Sequence, residues 1–108
     1  MLYEFIELPP FAALRDELFA DDADFATFQL HLCQFPEAGD VIPETGGCRK
    51  IRWAARGKGK RGGARVIYFL RLKHGQIVLV AAYGKSERDD GPRKWLRKLK
   101  EAFDHEQS

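Results

Sequence analysis

Lys50 and Arg52 stand two positions apart in the run Arg49-Lys50-Ile51-Arg52-Trp53, and Arg65 lies near the start of the apolar run 64–72. If both runs are strands, side chains alternate across the sheet, and Lys50 and Arg52 share one face about 7 Å apart. Neighbouring phosphates of a nucleic-acid strand are spaced similarly, so each cation could take one. A strand-borne arginine presents its planar fork of donors to an anion with little disorder, which suits Arg65 to the same task. Tyr83-Gly84-Lys85 closes the next apolar run. Tyr83 and Lys85 point the same way, and Gly84 lets a substrate come close. Such a tyrosine could stack on a base or donate a proton.

Arg56 precedes Gly57-Lys58-Gly59-Lys60-Arg61-Gly62, a stretch rich in bases and in glycines that bare backbone N–H groups to an anion. It spells G-x-G-x-x-G, but a strand pattern follows where a dinucleotide site needs a helix, and the G-K-[ST] ending of a phosphate loop is missing. We read a basic loop that contacts phosphates, together with Arg49, Arg56, Lys58, Lys60 and Arg61. Each of these features also has a plainer reading. Lys50 and Arg52 could extend along an exposed sheet edge, Arg65 could pair with a structural carboxylate, and Tyr83 could cap the core.

Charge separates these possibilities. The 108 residues carry a net charge of +2, very unevenly spread. Residues 1–44 hold ten acids and one base, Arg15; residues 45–86 hold eleven bases and no acid; residues 87–108 hold six of each. A long acid-free stretch concentrates positive potential, as polyanion binding requires. His31, His74 and His105 are scattered and give no metal-ligand spacing, and no nucleophile signature is present. We therefore expect neither metal nor cofactor. Cys33 and Cys48 read as reduced thiols. Acids and a Pro-Pro pair stand where a signal peptide would be apolar, and no apolar run approaches the length needed to cross a bilayer, so the chain reads as cytoplasmic.

The elements that must position these residues follow from periodicity. Residues 2–8 alternate as a strand that Pro9-Pro10 ends. Phe11, Leu14 and Leu18 predict a short helix, and Asp21 or Asp22 caps a second carrying Phe25, Phe28, Leu32 and Phe35. Residues 41–47 read as a loop, 48–55 and 64–72 as strands, 73–76 as a tight turn, and 77–83 as a strand apolar throughout. Pro92 opens a last helix with Trp95, Leu96, Leu99 and Phe103 facing the core. The order β-α-α-β-β-β-α with short links predicts a single α+β domain over 1–108: an antiparallel twisted sheet with helices packed on one face.

Taken together, Gly39-Asp40-Val41-Ile42-Pro43, Gly46-Gly47, Arg49–Arg52, Arg56–Gly63, Arg65–Tyr68 and Tyr83-Gly84-Lys85 with Glu87 resemble the HigB branch of the RelE/ParE toxin superfamily. The resemblance implies a microbial-RNase-like fold and ribosome-dependent cleavage of mRNA. It also implies neutralisation by a cognate helix-turn-helix antitoxin of the HigA kind. Carried over by position, the strand bases match Lys50 and Arg52, the strand arginine Arg65 and the end-of-strand lysine Lys85. Cleavage would proceed by attack of the RNA 2′-OH on its own phosphodiester. With no Glu in the basic half and its one histidine, His74, in a predicted turn, cations must do the work. A lysine crowded by other cations is disfavoured in its charged form, which suits Lys50 or Lys85 to accept a proton. Arg65 and Arg52 would hold the phosphorane oxygens. Two other functions fit the same surface: a ParE-like gyrase poison, and a non-catalytic module that binds RNA or the ribosome.

Overall fold

A computed structural model describes residues 3–54, 64–84 and 93–107. The elements are β1 (Glu4–Glu7), α1 (Pro9–Ala12), α2 (Arg15–Leu18), α3 (Asp22–Gln34), β2 (Asp40–Val41), β3 (Arg49–Trp53), β4 (Ala64–Arg71), a 3-10 turn (Leu72–His74), β5 (Gln76–Gly84) and α4 (Arg93–Gln107). They form one five-stranded sheet in the order β1-β5-β4-β3-β2. The α+β class expected from periodicity is the class observed, down to the apolar β5 sitting between two neighbours.

Four details differ. A fifth strand, β2, pairs with β3 at the start of the stretch read as a loop, adding an edge that the expected order lacks. The sheet is mixed, because β1 returns to lie parallel beside β5 while the other pairs are antiparallel. The first predicted helix is two short turns, α1 and α2, with Ala13 and Leu14 between them. And the helices do not share one face. Phe11, Phe19, Phe25, Phe28 and Leu32 of the α1–α3 segment pack with Val66, Tyr68, Ile77 and Leu79. Leu96 and Phe103 of α4 pack with Ile67, Phe69, Val78 and Val80 on the other side. An apolar strand such as β5 must be covered twice, and two helix layers do that.

The first layer is aromatic. Phe19 lies 5.1 Å from Phe25 and 5.3 Å from Phe28, ring centre to ring centre, and each such burial contributes about 2 kcal/mol. Asp21 caps α3 by accepting the Asp24 N–H at 2.8 Å. Asp24 itself is buried; its carboxylate accepts from the Ala20 N–H and from Trp53 Nε1, which ties α3 to the end of β3. Tyr68, fully buried on β4, donates its hydroxyl to the Pro36 carbonyl and accepts the Gly39 N–H, both at 2.8 Å. That bridge holds the turn after α3 against the sheet. Only glycine fits at position 39: a Cβ there would lie 2.8 Å from the Tyr68 hydroxyl and 2.9 Å from the Lys50 carbonyl.

In α4, Leu96 and Phe103 are buried and Leu99 half-buried, but Trp95 is 41% exposed and does not belong to the core stripe expected of it. Phe35, expected on the stripe of α3, is exposed as well, because the helix ends at Gln34 and Phe35 leaves its axis.

Candidate nucleic-acid interface

Strand register brings the site together. Arg52 on β3 is opposite Arg65 on β4, and Arg65 is opposite Tyr83 on β5. Neighbouring positions across a sheet are about 5 Å apart, so the three side chains form a row across three strands. The alternation of β4 places Arg65 on the side of Ile67 and Phe69, the α4 side. Lys50, opposite Ile67, lies on that same side one step along.

Tyr83 joins this face because of an irregularity. Tyr68 pairs with Leu79 and Ile67 with Ala81, which leaves Val80 unpartnered. Val80 and Ala81 both belong to the α4-side core, whereas Leu79 and Ala82 belong to the other. The bulge shifts the alternation of β5 by one residue. Without it, Tyr83 would share the face of Ile77 and Leu79, turned away from Arg65. Its ring is largely buried, at 8% exposure, in the cluster with Ile67 and Ala81. A ring so covered is poorly placed to stack on a base.

Arg65 is the most informative residue of the row. Its Nη1 is buried and has no hydrogen-bond partner. Leaving a buried donor unsatisfied costs about 1–3 kcal/mol, and more for a charged group, so native proteins seldom retain one without a use for it. No described carboxylate lies within ion-pair distance of Arg65 or of the exposed Arg52. Four acids of the N-terminal segment are engaged elsewhere: Glu7, Asp16 and Asp22 pair with Arg15, and Glu44 pairs with Arg93; Asp40 is the cross-strand partner of Lys50. Arg52 and Arg65, with no ion pair to a described acid, are suited to hold the oxygens of a phosphate.

The chain shares its fold with a solved protein. Its structure matches that of the E. coli toxin RelE, in a free form carrying two arginine-to-alanine substitutions, with a TM-score of 0.58 over 94% of this chain and 98% of that one, at 16% sequence identity. The fold is RelE-like. No family model matches the sequence. On this RelE-like sheet the row Arg52–Arg65–Tyr83 occupies the part of β3, β4 and β5 next to the strand ends Trp53, Ala64 and Gly84.

The remaining candidates divide. Lys85, Arg56, Lys58, Lys60 and Arg61 lie outside the described residues. Arg49 is not brought to the row: it pairs with Tyr68 on the opposite face, and its Nη1 donates to the carbonyls of Gly39, at 2.9 Å, and Glu37, at 3.3 Å. Arg71 shares the face of Arg65 but sits at the far end of β4, where Asp104 pairs with it at 3.4 Å and its guanidinium covers Phe103. The histidines do not belong to the row: His31 packs on Phe35 and Trp53 from α3, His74 is in the turn, and His105 is exposed on α4. Among the described residues no three potential ligands gather as a metal site, and no helix is long and apolar enough to cross a membrane.

Two contributions escaped the sequence. One is the Val80 bulge, which carries no signature in an unbroken apolar run. The other is Asp24, whose burial depends on a partner twenty-nine residues away, Trp53. An Asp three residues after an N-cap reads from sequence as ordinary first-turn chemistry.

Proposed function

We propose that this protein is the toxin of a type II toxin–antitoxin pair, of the HigB branch, and that it cleaves mRNA on the ribosome in the cytoplasm. The observation that carries the reading is the buried, unpartnered Nη1 of Arg65, flanked in register by Arg52 and Tyr83 on a RelE-like sheet. The similarity to RelE supports a toxin role, and the RelE name implies a partner antitoxin, here of the helix-turn-helix HigA kind.

In the proposed mechanism the RNA 2′-oxygen attacks the adjacent phosphorus, and the bond from phosphorus to the 5′-oxygen breaks. A cyclic phosphate and a 5′-hydroxyl result. Lys50 or Lys85 takes the proton from the 2′-hydroxyl. Arg65 and Arg52 hold the nonbridging oxygens as charge builds on them. The Tyr83 hydroxyl supplies a proton to the departing 5′-oxygen. Arg56, Lys58, Lys60 and Arg61 would contact flanking phosphates, and the ribosome would align the message.

The test is induced expression in growing cells with primer extension on a translated message, wild type beside Arg65→Met. Wild type should arrest growth and yield discrete 5′ ends, and Arg65→Met should do neither. Growth arrest with intact message and altered plasmid supercoiling would instead mark a gyrase poison. Salt-dependent RNA binding without cuts would mark a binding module. Repeating cleavage on purified message with and without ribosomes decides ribosome dependence.

A further inference from the structure

On the face opposite the cationic row, α3 presents a second apolar stripe. Phe25, Phe28 and Leu32 enter the core, while Ala26, Leu30 and Cys33, spaced i, i+4, i+7, line a shallow open groove. Tyr3 and Phe5 of β1 and Gln29 of α3 complete its walls. Leu30 is 57% exposed, the most exposed of the large apolar side chains described. β1 is the edge strand of the sheet. The N–H groups of Glu4 and Leu8 donate to carbonyls on the β5 side, of Gly75 and Leu79. Alternation along a parallel strand therefore turns the backbone groups of Phe5 and Glu7 outward, toward the open edge. Apolar floor and backbone groups without a partner among the described residues stand side by side, which is the arrangement that accepts an added strand.

Charge decides what can be added. Residues 1–44 hold ten acids, and their one base, Arg15, is surrounded by Glu7, Asp16 and Asp22. A second copy pairing edge to edge would bring Glu4 and Glu7 against their own kind, a common device against self-association. We propose that the β1 edge and the α3 groove take up an extended segment of a protein partner in which apolar residues alternate with lysine or arginine. Its backbone pairs with Phe5 and Glu7, its apolar side chains cover Leu30 and Ala26, and its cations, turned to the other face of the sheet, meet Glu4. The groove lies on the other face from Arg65, so the proposal stands independently of the RNA-cleavage reading.

Cys33 in the groove supplies a footprint. The full-length protein is titrated with an eight-residue blocked peptide of alternating lysine and leucine, and alkylation of Cys33 is followed by mass spectrometry. Peptides alternating glutamate with leucine, and lysine with serine, serve as controls. The lysine–leucine peptide should slow alkylation of Cys33 and bind Leu30→Gln about tenfold more weakly, the loss expected from one uncovered leucine. Leu30→Gln removes only an exposed side chain, and its melting temperature and RNA cleavage should match wild type. Equal protection by either control peptide, unchanged binding to Leu30→Gln, or concentration-dependent protection of Cys33 in the protein alone, as a second copy would give, overturns the proposal.

Discussion

Arg65 and Tyr83 are partners across β4 and β5, and they share a face only because Val80 is bulged out of the ladder between Ile67 and Tyr68. The bulge leaves the core intact on both sides, since Val80 and Ala81 are both buried. What it changes is the aim of the last residues of β5. A shift of one residue is enough to move a tyrosine from one side of a sheet to the other.

The guanidinium of Arg65 makes function and stability oppose each other. Arg65→Met keeps the apolar stem and removes a buried donor that has no partner. We expect the variant to melt higher than wild type, by about 1 kcal/mol or roughly 4 °C. We also expect message cleavage to fall about a hundredfold or more, the usual loss on removing a donor to a developing oxyanion. Thermal melts and primer extension on the same preparations check both. A variant that melts lower and cuts normally would show Arg65 to be structural.

Much of this was legible in the sequence, for a physical reason in each case. The face shared by Lys50, Arg52 and Arg65 follows from strand alternation in two short runs with strong patterns, and the charge segregation follows from counting. What was not legible depends on contacts between distant residues. Nothing local distinguishes Arg49 from Lys50, yet one holds carbonyls of the turn after α3 and the other belongs to the cationic face. The stripe of α4 predicted Trp95 inside; Leu96 and Phe103 fill that side of the sheet and leave Trp95 at the surface. The parallel return of β1 to β5 has no signature in residues 2–8 at all.

Arg49 and Arg52 should therefore separate experimentally. Arg49→Gln loses the two carbonyl contacts, at 2.9 and 3.3 Å, and should destabilise by about 1 kcal/mol. Its RNA affinity should keep the wild-type dependence on salt. Arg52→Gln removes an exposed cation with no described carboxylate beside it, and should leave the melting temperature unchanged. It should reduce the slope of log affinity against log salt by about one. Binding titrations between 50 and 200 mM salt, about the range over which such slopes show, give the answer; the reverse pattern would exchange the two roles.

The Tyr68 bridge should be a main fastening of the turn that follows α3. Tyr68→Phe strands the buried Gly39 N–H and the Pro36 carbonyl, and should destabilise by about 1–3 kcal/mol. Gly39→Ala forces a Cβ to within 2.9 Å of the Lys50 carbonyl and should be at least as harmful. Because that carbonyl belongs to β3, Gly39→Ala should also weaken RNA binding, whereas Tyr68→Phe should spare it. Urea unfolding beside RNA titration tests the pair.

Alkaline stability tests the two buried acids of the core. Burial pushes the Tyr68 hydroxyl above its ordinary value of 10.0, against smaller opposing effects of the Gly39 hydrogen bond and Arg49. Burial likewise raises the Cys48 thiol above 9.0, with the Thr45 hydrogen bond opposing. In the unfolded chain both groups lose protons at their ordinary values, while the folded protein still holds them. The unfolded state then binds fewer protons, so stability falls as pH rises. The contribution is complete below pH 9.0, declines above it as the unfolded thiol ionises, and declines further above 10.0 as the unfolded tyrosine follows. Urea midpoints measured from neutral pH upward should be flat and then drop. Cys48→Ala should remove the earlier part of the drop and Tyr68→Phe the later part. A midpoint that stays level well above pH 10.0 in the wild type would mean that neither group is held protonated by its surroundings.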